Sequence, residues 1–173
     1  MSLLSSSAYQ RARTTKRDMA NWLNGKLSSA DCRYVSVTLT AKQAVLNVDG
    51  NLAATTREDM DREVGKFLKR LDVAVYGNAA RRYGKRLRRA DANHGGADTF
   101  KRHHRHLVIE LPKRFEDDGG LDRFIGLLRS TWSRSPYARA ILDVSLTGSL
   151  SASLRYFVKY GGADNLSLAN IVL

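Results

Sequence analysis

A single cysteine, Cys32, in 173 residues leaves no internal disulfide to form and excludes a cysteine-rich zinc site. No apolar run approaches the roughly 20 residues that cross a bilayer, so no membrane partner is expected. The chain does not open with a cationic stretch, an apolar core and a small-residue cleavage site, so no signal peptide is expected. A reducing, cytoplasmic setting is therefore the expectation. There is no internal repeat, no low-complexity linker and no Gly-Lys-Thr loop for nucleotide phosphates. Prolines number two, and each reads as a stop: Pro112 ends a strand and Pro136 follows a helix.

Acidic residues are scarce beside basic ones. Seventeen Asp and Glu stand against 29 Lys and Arg, for a net charge of +12 and a pI near 10.2. Such a field attracts polyanions, and nucleic acid is the commonest available to a cytoplasmic protein. The excess is clustered, because six of the nine residues from Arg81 to Arg89 are cationic: Arg81, Arg82, Lys85, Arg86, Arg88 and Arg89. Lys101 and Arg102 add to it. The plainer alternative is a solvated loop whose charge only aids solubility. The hydrophobic content of 43% is that of an ordinary globular protein, and the length suits one domain with a real core.

Patterning predicts an α+β plan. Residues 1–31 read as a polar, basic arm with a helix somewhere between Ala8 and Leu27. Tyr34 to Thr40 alternate as a half-buried strand, with Val35, Val37 and Leu39 on one face and Tyr34, Ser36, Thr38 and Thr40 on the other. A helix starts at the N-cap Thr56 and sets Met60, Val64, Phe67, Leu68, Leu71 and Val75 on one face as far as Gly77-Asn78. The basic run and an Asn93-His94-Gly95-Gly96 loop follow. Leu107–Leu111 reads as a strand, Leu121–Arg134 as a second amphipathic helix and Ala140–Leu146 as another strand. A final helix covers about Ser151 to Tyr160, closed by Gly161-Gly162. An antiparallel sheet with helices packed on one side satisfies this order.

Two segments could carry chemistry. In His104-Arg105-His106 the histidines project from one face of an extended chain, at a spacing suited to two cis ligands on one metal ion. Glu110 lies on the same face, two pleats further along. A third, oxygen-donating ligand would suit Mg²⁺ or Mn²⁺ and leave positions open for a phosphate and its attacker. A His-rich stretch in a basic protein equally reads as part of a phosphate-binding patch. On a helix, Tyr156, Lys159 and Tyr160 share an exposed face while Leu154, Phe157 and Val158 point away. A phenol beside a cation and a metal-bound phosphate can act as a covalent nucleophile; the bland alternative is an ordinary exposed helical face.

The order of these segments resembles the HUH endonuclease superfamily, specifically the rolling-circle replication initiators of small plasmids, phages and single-stranded DNA viruses. Tyr34-Val35-Ser36-Val37-Thr38-Leu39-Thr40 is similar to the family's hydrophobic first motif. His104-Arg105-His106-Leu107-Val108-Ile109-Glu110-Leu111-Pro112 is similar to its His-hydrophobic-His strand, and Tyr156-Phe157-Val158-Lys159 to its Tyr-x-x-Lys helix. The resemblance spans Cys32 to Leu173. It implies a five-stranded antiparallel sheet of ferredoxin-like or RRM-like plan, a divalent metal (Mg²⁺ or Mn²⁺) on His104 and His106, and Tyr156 as nucleophile with Lys159 beside the phosphate. The implied reaction is site-specific nicking and rejoining of single-stranded or hairpin DNA through a 5′-phosphotyrosine, with a separate helicase as partner.

The sequence departs from the family at Arg105, which stands where an apolar residue is usual; its aliphatic stem would cover the sheet while its charge reaches solvent. For the third ligand, which the family places on the neighbouring upstream strand, Asp91 is the candidate, in a Leu87–Asn93 strand of poor composition. Asp98 and Glu110 are rivals. The alternative function is a non-catalytic, basic RRM-like module that stacks single-stranded bases on aromatics, for which Tyr34 is the main exposed candidate. A small basic structural protein of a phage or chromosome would account for the charge and leave the motif order a coincidence.

Overall fold

The structure, a computed structural model, describes the backbone of residues 5–28, 31–96, 101–159 and 166–173. Among these it describes the side chains outside 5–14, 94–96, 101–102, 140–141 and 168. In chain order the elements are α1 (Ser5–Leu27), β1 (Arg33–Ala41), β2 (Ala44–Leu46), β3 (Leu52–Ala54), α2 (Arg57–Tyr76), α3 (Asn78–Tyr83), β4 (Arg89–Gly96), β5 (Lys101–Leu111), α4 (Gly120–Trp132), β6 (Ala138–Leu146) and α5 (Leu150–Lys159). Among the described residues the main sheet has four antiparallel strands in the order β4-β5-β1-β6, and β2 and β3 form a separate hairpin. The C-terminal segment adds antiparallel bridges to β4, Arg89 with Val172 and Ala92 with Leu166. With this bridged edge the sheet is the antiparallel one of about five strands that the sequence predicts.

Strand alternation sorts side chains into two cores. On one face Val35, Val37 and Leu39 of β1, Leu107 and Ile109 of β5 and Leu142 of β6 pack under α2 and α4. The α2 contribution is the stripe from Met60 to Val75 expected from the sequence, and Thr56 closes the helix start in a capping box with Asp59. On the other face Tyr34, Ala90, Ala92 and Val108 meet Leu23 and Leu27 of α1 and Leu154 and Phe157 of α5. Helices thus cover both faces of the sheet, not one.

Helix α1 does not behave as a separate arm. Leu23 and Leu27 are fully buried, and Lys16 Nζ donates to the carbonyl of Lys159 at the end of α5. Tyr34, expected to be exposed, is buried and donates its hydroxyl to the Leu27 carbonyl at 2.5 Å. Burial pushes this phenol up to about 12, against the opposing pull of the Arg88 charge. The bond ties the end of α1 to the start of β1.

Strand β4 departs most from the sequence reading. Among its described side chains the upper face, shared with α1 and α5, carries Ala90 and Ala92, and the lower face presents Arg89, Asp91 and Asn93, all buried. Arg89 donates to Asp72 of α2 at 2.7 Å and to the Asn170 carbonyl. Asp91 receives Arg105 Nε at 2.9 Å and a second guanidinium N–H at 2.6 Å, and Asn170 Nδ2 at 2.8 Å. The remaining arm of Arg105 reaches the half-exposed Asp61 of α2. Arg105 is therefore fully buried, and its charge does not reach solvent as expected. Burial alone pulls its guanidinium down, but Asp91 and Asp61 more than offset this and hold it above its ordinary value.

Removing one partner of a buried pair strands the other charge, which costs about 3–5 kcal/mol. Asp91→Ala is expected to destabilise by that amount in urea unfolding, whereas Asp61→Ala, which removes a half-exposed carboxylate and leaves Arg105 its two bonds to Asp91, should cost clearly less. Equal costs would show that the buried bidentate pair does not dominate.

Candidate functional site

The motif residues converge above β5 and β1. His104 and His106 both stand on the upper face, with ring centroids 5.1 Å apart and planes at 89°. Across the ladder His106 is opposite Thr38 of β1, and His104 is opposite Thr40. Thr38 Oγ1 lies 3.2 Å from His106 Nδ1. When Nδ1 carries the proton and donates to Thr38, Nε2 is left with its lone pair, the arrangement a ligating histidine needs. A threonine in the first motif thus orients the histidine of the second.

Helix α5 brings the phenol. Its Leu154, Phe157 and Val158 are buried, which turns Tyr156 and Lys159 to the open side. The Tyr156 ring stands edge-on to His106, centroids 5.2 Å apart and planes at 88°, and Phe157 flanks the same imidazole at 6.3 Å. Tyr156 keeps 45% of its surface exposed. Hydroxyl contacts from Ser36 to Ser153 and Thr147 tie α5 and its approach to β1. Between helix and sheet lies a cavity of about 430 Å³ lined by Ser36, Thr38, His106, Asp143, Ser153 and Tyr156, among others. Asp143 was not singled out by the sequence reading. It sits opposite Thr38 on β6, in one row with His106, and its only signal was alternation along a strand.

The expected third ligand is not there. Asp91 pairs in register with Leu107, not with a histidine, and its carboxylate is spent beneath the sheet on Arg105 and Asn170. Reading β4 one residue out of phase flips a side chain to the opposite face. Glu110 is on the right face, but roughly 14 Å along the strand from His106 at the usual rise. There it accepts the Arg88 backbone N–H and a long contact from the Cys32 thiol. Asp98 lies outside the described residues. The segment expected to be a loop is instead part of β4, where position 94 pairs in register with His104; the side chain at 94 lies outside the described residues. Among the described residues no three His, Cys, Asp or Glu side chains group to hold a metal ion.

The basic run is not at this site. Arg89 is buried in its pair with Asp72, and Arg88 is half-buried against the Lys26 carbonyl. Arg81 and Arg82 lie on α3, and Lys85 sits 4.6 Å from the centre of the Tyr76 ring. These two, with Lys85 and Arg86, remain exposed, but none lines the cavity. The start of β4 pairs with Ile109, roughly 10 Å along β5 from His106. The cations near Tyr156 are Lys159 and Arg155 of α5 and Lys16 of α1, which reaches the end of α5. The side chains of Lys101 and Arg102, and all of Tyr160, lie outside the described residues.

Compared with family models, curated proteins and solved structures, the chain matches none. No helix among the described residues is long and apolar enough to cross a membrane.

Thr38→Val removes the partner of His106 Nδ1 at almost constant volume. Its imidazole ¹⁵N shifts should move from one dominant tautomer to the mixture of a free ring; an unchanged spectrum would mean that other neighbours hold it.

Proposed function

We propose that this chain is a metal-dependent, site-specific single-strand DNA nickase of the HUH type, which cuts and rejoins through a 5′-phosphotyrosine and so starts rolling-circle replication. The observation that carries the reading is the edge-on contact of Tyr156 with His106, whose neighbour on the same face is His104. That side chains about 50 residues apart in sequence come into ring contact supports the reading.

Two imidazoles on one face, one of them oriented through Nδ1 by Thr38, would hold a divalent ion and leave its other positions to the DNA phosphate and water. Imidazole donors favour Mn²⁺ over Mg²⁺. When bound, such an ion supplies Lewis-acid polarisation of the scissile phosphate. Tyr156 Oη forms the bond to phosphorus as the bond from phosphorus to the 3′-oxygen breaks, leaving a 5′-phosphotyrosine and a free 3′-hydroxyl. Lys159, one helical turn on, offsets charge on the phosphate. A later 3′-hydroxyl reverses the step, because the linkage conserves the bond energy. Lys16, Arg155 and Lys159 give the entering strand a cationic edge, and the net charge of +12 supplies long-range attraction. The burial of Tyr34 counts against a module that stacks bases on its sheet. A cytoplasmic protein working with a separate helicase completes this reading.

Labelled hairpin and single-stranded oligonucleotides from the DNA around the gene, incubated with Mn²⁺, should yield a covalent protein–DNA adduct on a denaturing gel. Tyr156→Phe and EDTA should abolish it, and His106→Ala or His104→Ala should lower it at least about 100-fold, all with DNA binding retained. An adduct that survives Tyr156→Phe would falsify the assignment of the nucleophile.

A further inference from the structure

β1 ends at Ala41, one residue past Thr40, which is opposite His104, and the chain then forms the β2–β3 hairpin. Leu46 and Leu52 pair across this hairpin and are 70% and 76% exposed, and Val48 at the turn is fully exposed. Half-buried Val45 and Ala53 form the opposite face. Bare aliphatic side chains at a projecting tip are costly to leave in water, and contiguous ones mark contact surfaces.

The tip is built to hold its shape. Asn47 Oδ1 accepts the backbone N–H groups of both Asp49 and Asn51, the Asn47 N–H donates to the Asn51 carbonyl, and Gly50 donates back to Asn47. Gly50 takes a φ of +78°, which a side chain would strain. At the base, Thr55 is bonded to Lys42 and Gln43, and Lys42 to Tyr137 and Pro136. A two-stranded hairpin is marginal alone; these bonds give it a fixed direction from the end of the sheet that carries His104.

Between Lys42 and Arg57 the hairpin has no cation and one acid, Asp49, in a chain of net charge +12. It is therefore unsuited to phosphates and suited to bases. Three aliphatic side chains also offer far less than the ~800 Å² per partner of a stable dimer. Leucines are among the wedges that proteins insert at base steps to unstack them.

We infer that the β2–β3 hairpin is an apolar blade that packs against the terminal base pair at a junction of duplex and single strand, holding the strand open beside His104 and Tyr156. This rests on the nickase reading for its substrate, and it names the form of that substrate: a stem bordering the single strand to be cut.

The test needs no knowledge of the origin. A DNA stem-loop with a single-stranded tail, carrying 2-aminopurine at its terminal pair, is titrated with wild type, Tyr156→Phe and Leu46→Ser/Leu52→Ser, the last checked for unchanged melting. Wild type and Tyr156→Phe should raise the fluorescence by at least about threefold as the base unstacks. The double serine variant should lose that rise while binding the tail alone as wild type does. Fluorescence unchanged with wild type, or an equal rise with the serine variant, overturns the blade. So does light scattering that finds wild type dimeric and the variant monomeric, which would make the tip an interface between copies. A blade that opens the junction in a protein forming no tyrosine adduct would separate this inference from the nickase reading, overturning only the latter.

Discussion

A guanidinium with no access to solvent lies between the two histidines of the candidate site. Arg105 points down where His104 and His106 point up, and its two bonds to Asp91 fasten β5 to β4 directly beneath them. Asn170 closes the other side of Asp91 and Asp61 takes the last arm, so the C-terminal segment and α2 are held at the same point. Buried ion pairs contribute little net stability against an apolar core, but they tolerate few alternative arrangements. Here the pairing fixes the phase of β4 on β5. A slip of β4 by one residue would bring Asp91 to the upper face and leave the buried Arg105 without that partner.

On that base the upper face is set as a row. Thr38 holds His106, Tyr156 stands on it from α5, and Asp143 faces the same cavity from β6. The two helices over this face divide the work. Helix α1 adds Leu23 and Leu27 to the core beside the cavity, and α5 spends its apolar side on anchorage and its polar side on the site. Of the two cationic regions, the more conspicuous in sequence is partly consumed by structure: Arg89 by Asp72, Arg88 by the end of α1. Electrostatic attraction belongs to the chain as a whole, and the local cations are those of α5 and α1.

The legible parts of the fold were those with a period. β1 alternates cleanly, and α2 and α4 carry continuous apolar stripes, so their places and buried faces follow from spacing. The two histidines and the tyrosine helix were legible for the same reason. β4 was not, because the described side chains of its covered face are two alanines, and its other face buries Arg89, Asp91 and Asn93, the first two in ion pairs with distant partners. That hid the pairing of Asp91 with Arg105 and the extension of β4 through residues 93–96, which read as a Gly-rich loop. Tyr34 misled in the opposite sense: alternation put it on the polar face correctly, but nothing local shows that α1 covers that end.

What the sequence determines by itself is local. Alternation sets which residues of a strand share a face, helical spacing sets which side of α5 is wet, and composition sets the sign of the field. These depend on neighbours within a few residues. Which faces meet depends on contacts tens of residues apart, and only tertiary structure decides it. It sends α1 onto the sheet, turns Asp91 away from the histidines, and brings Tyr156 within ring contact of His106. The physical reason is that a buried charge must find its partner wherever the chain can supply one, and for Arg105 that partner lies on the neighbouring strand.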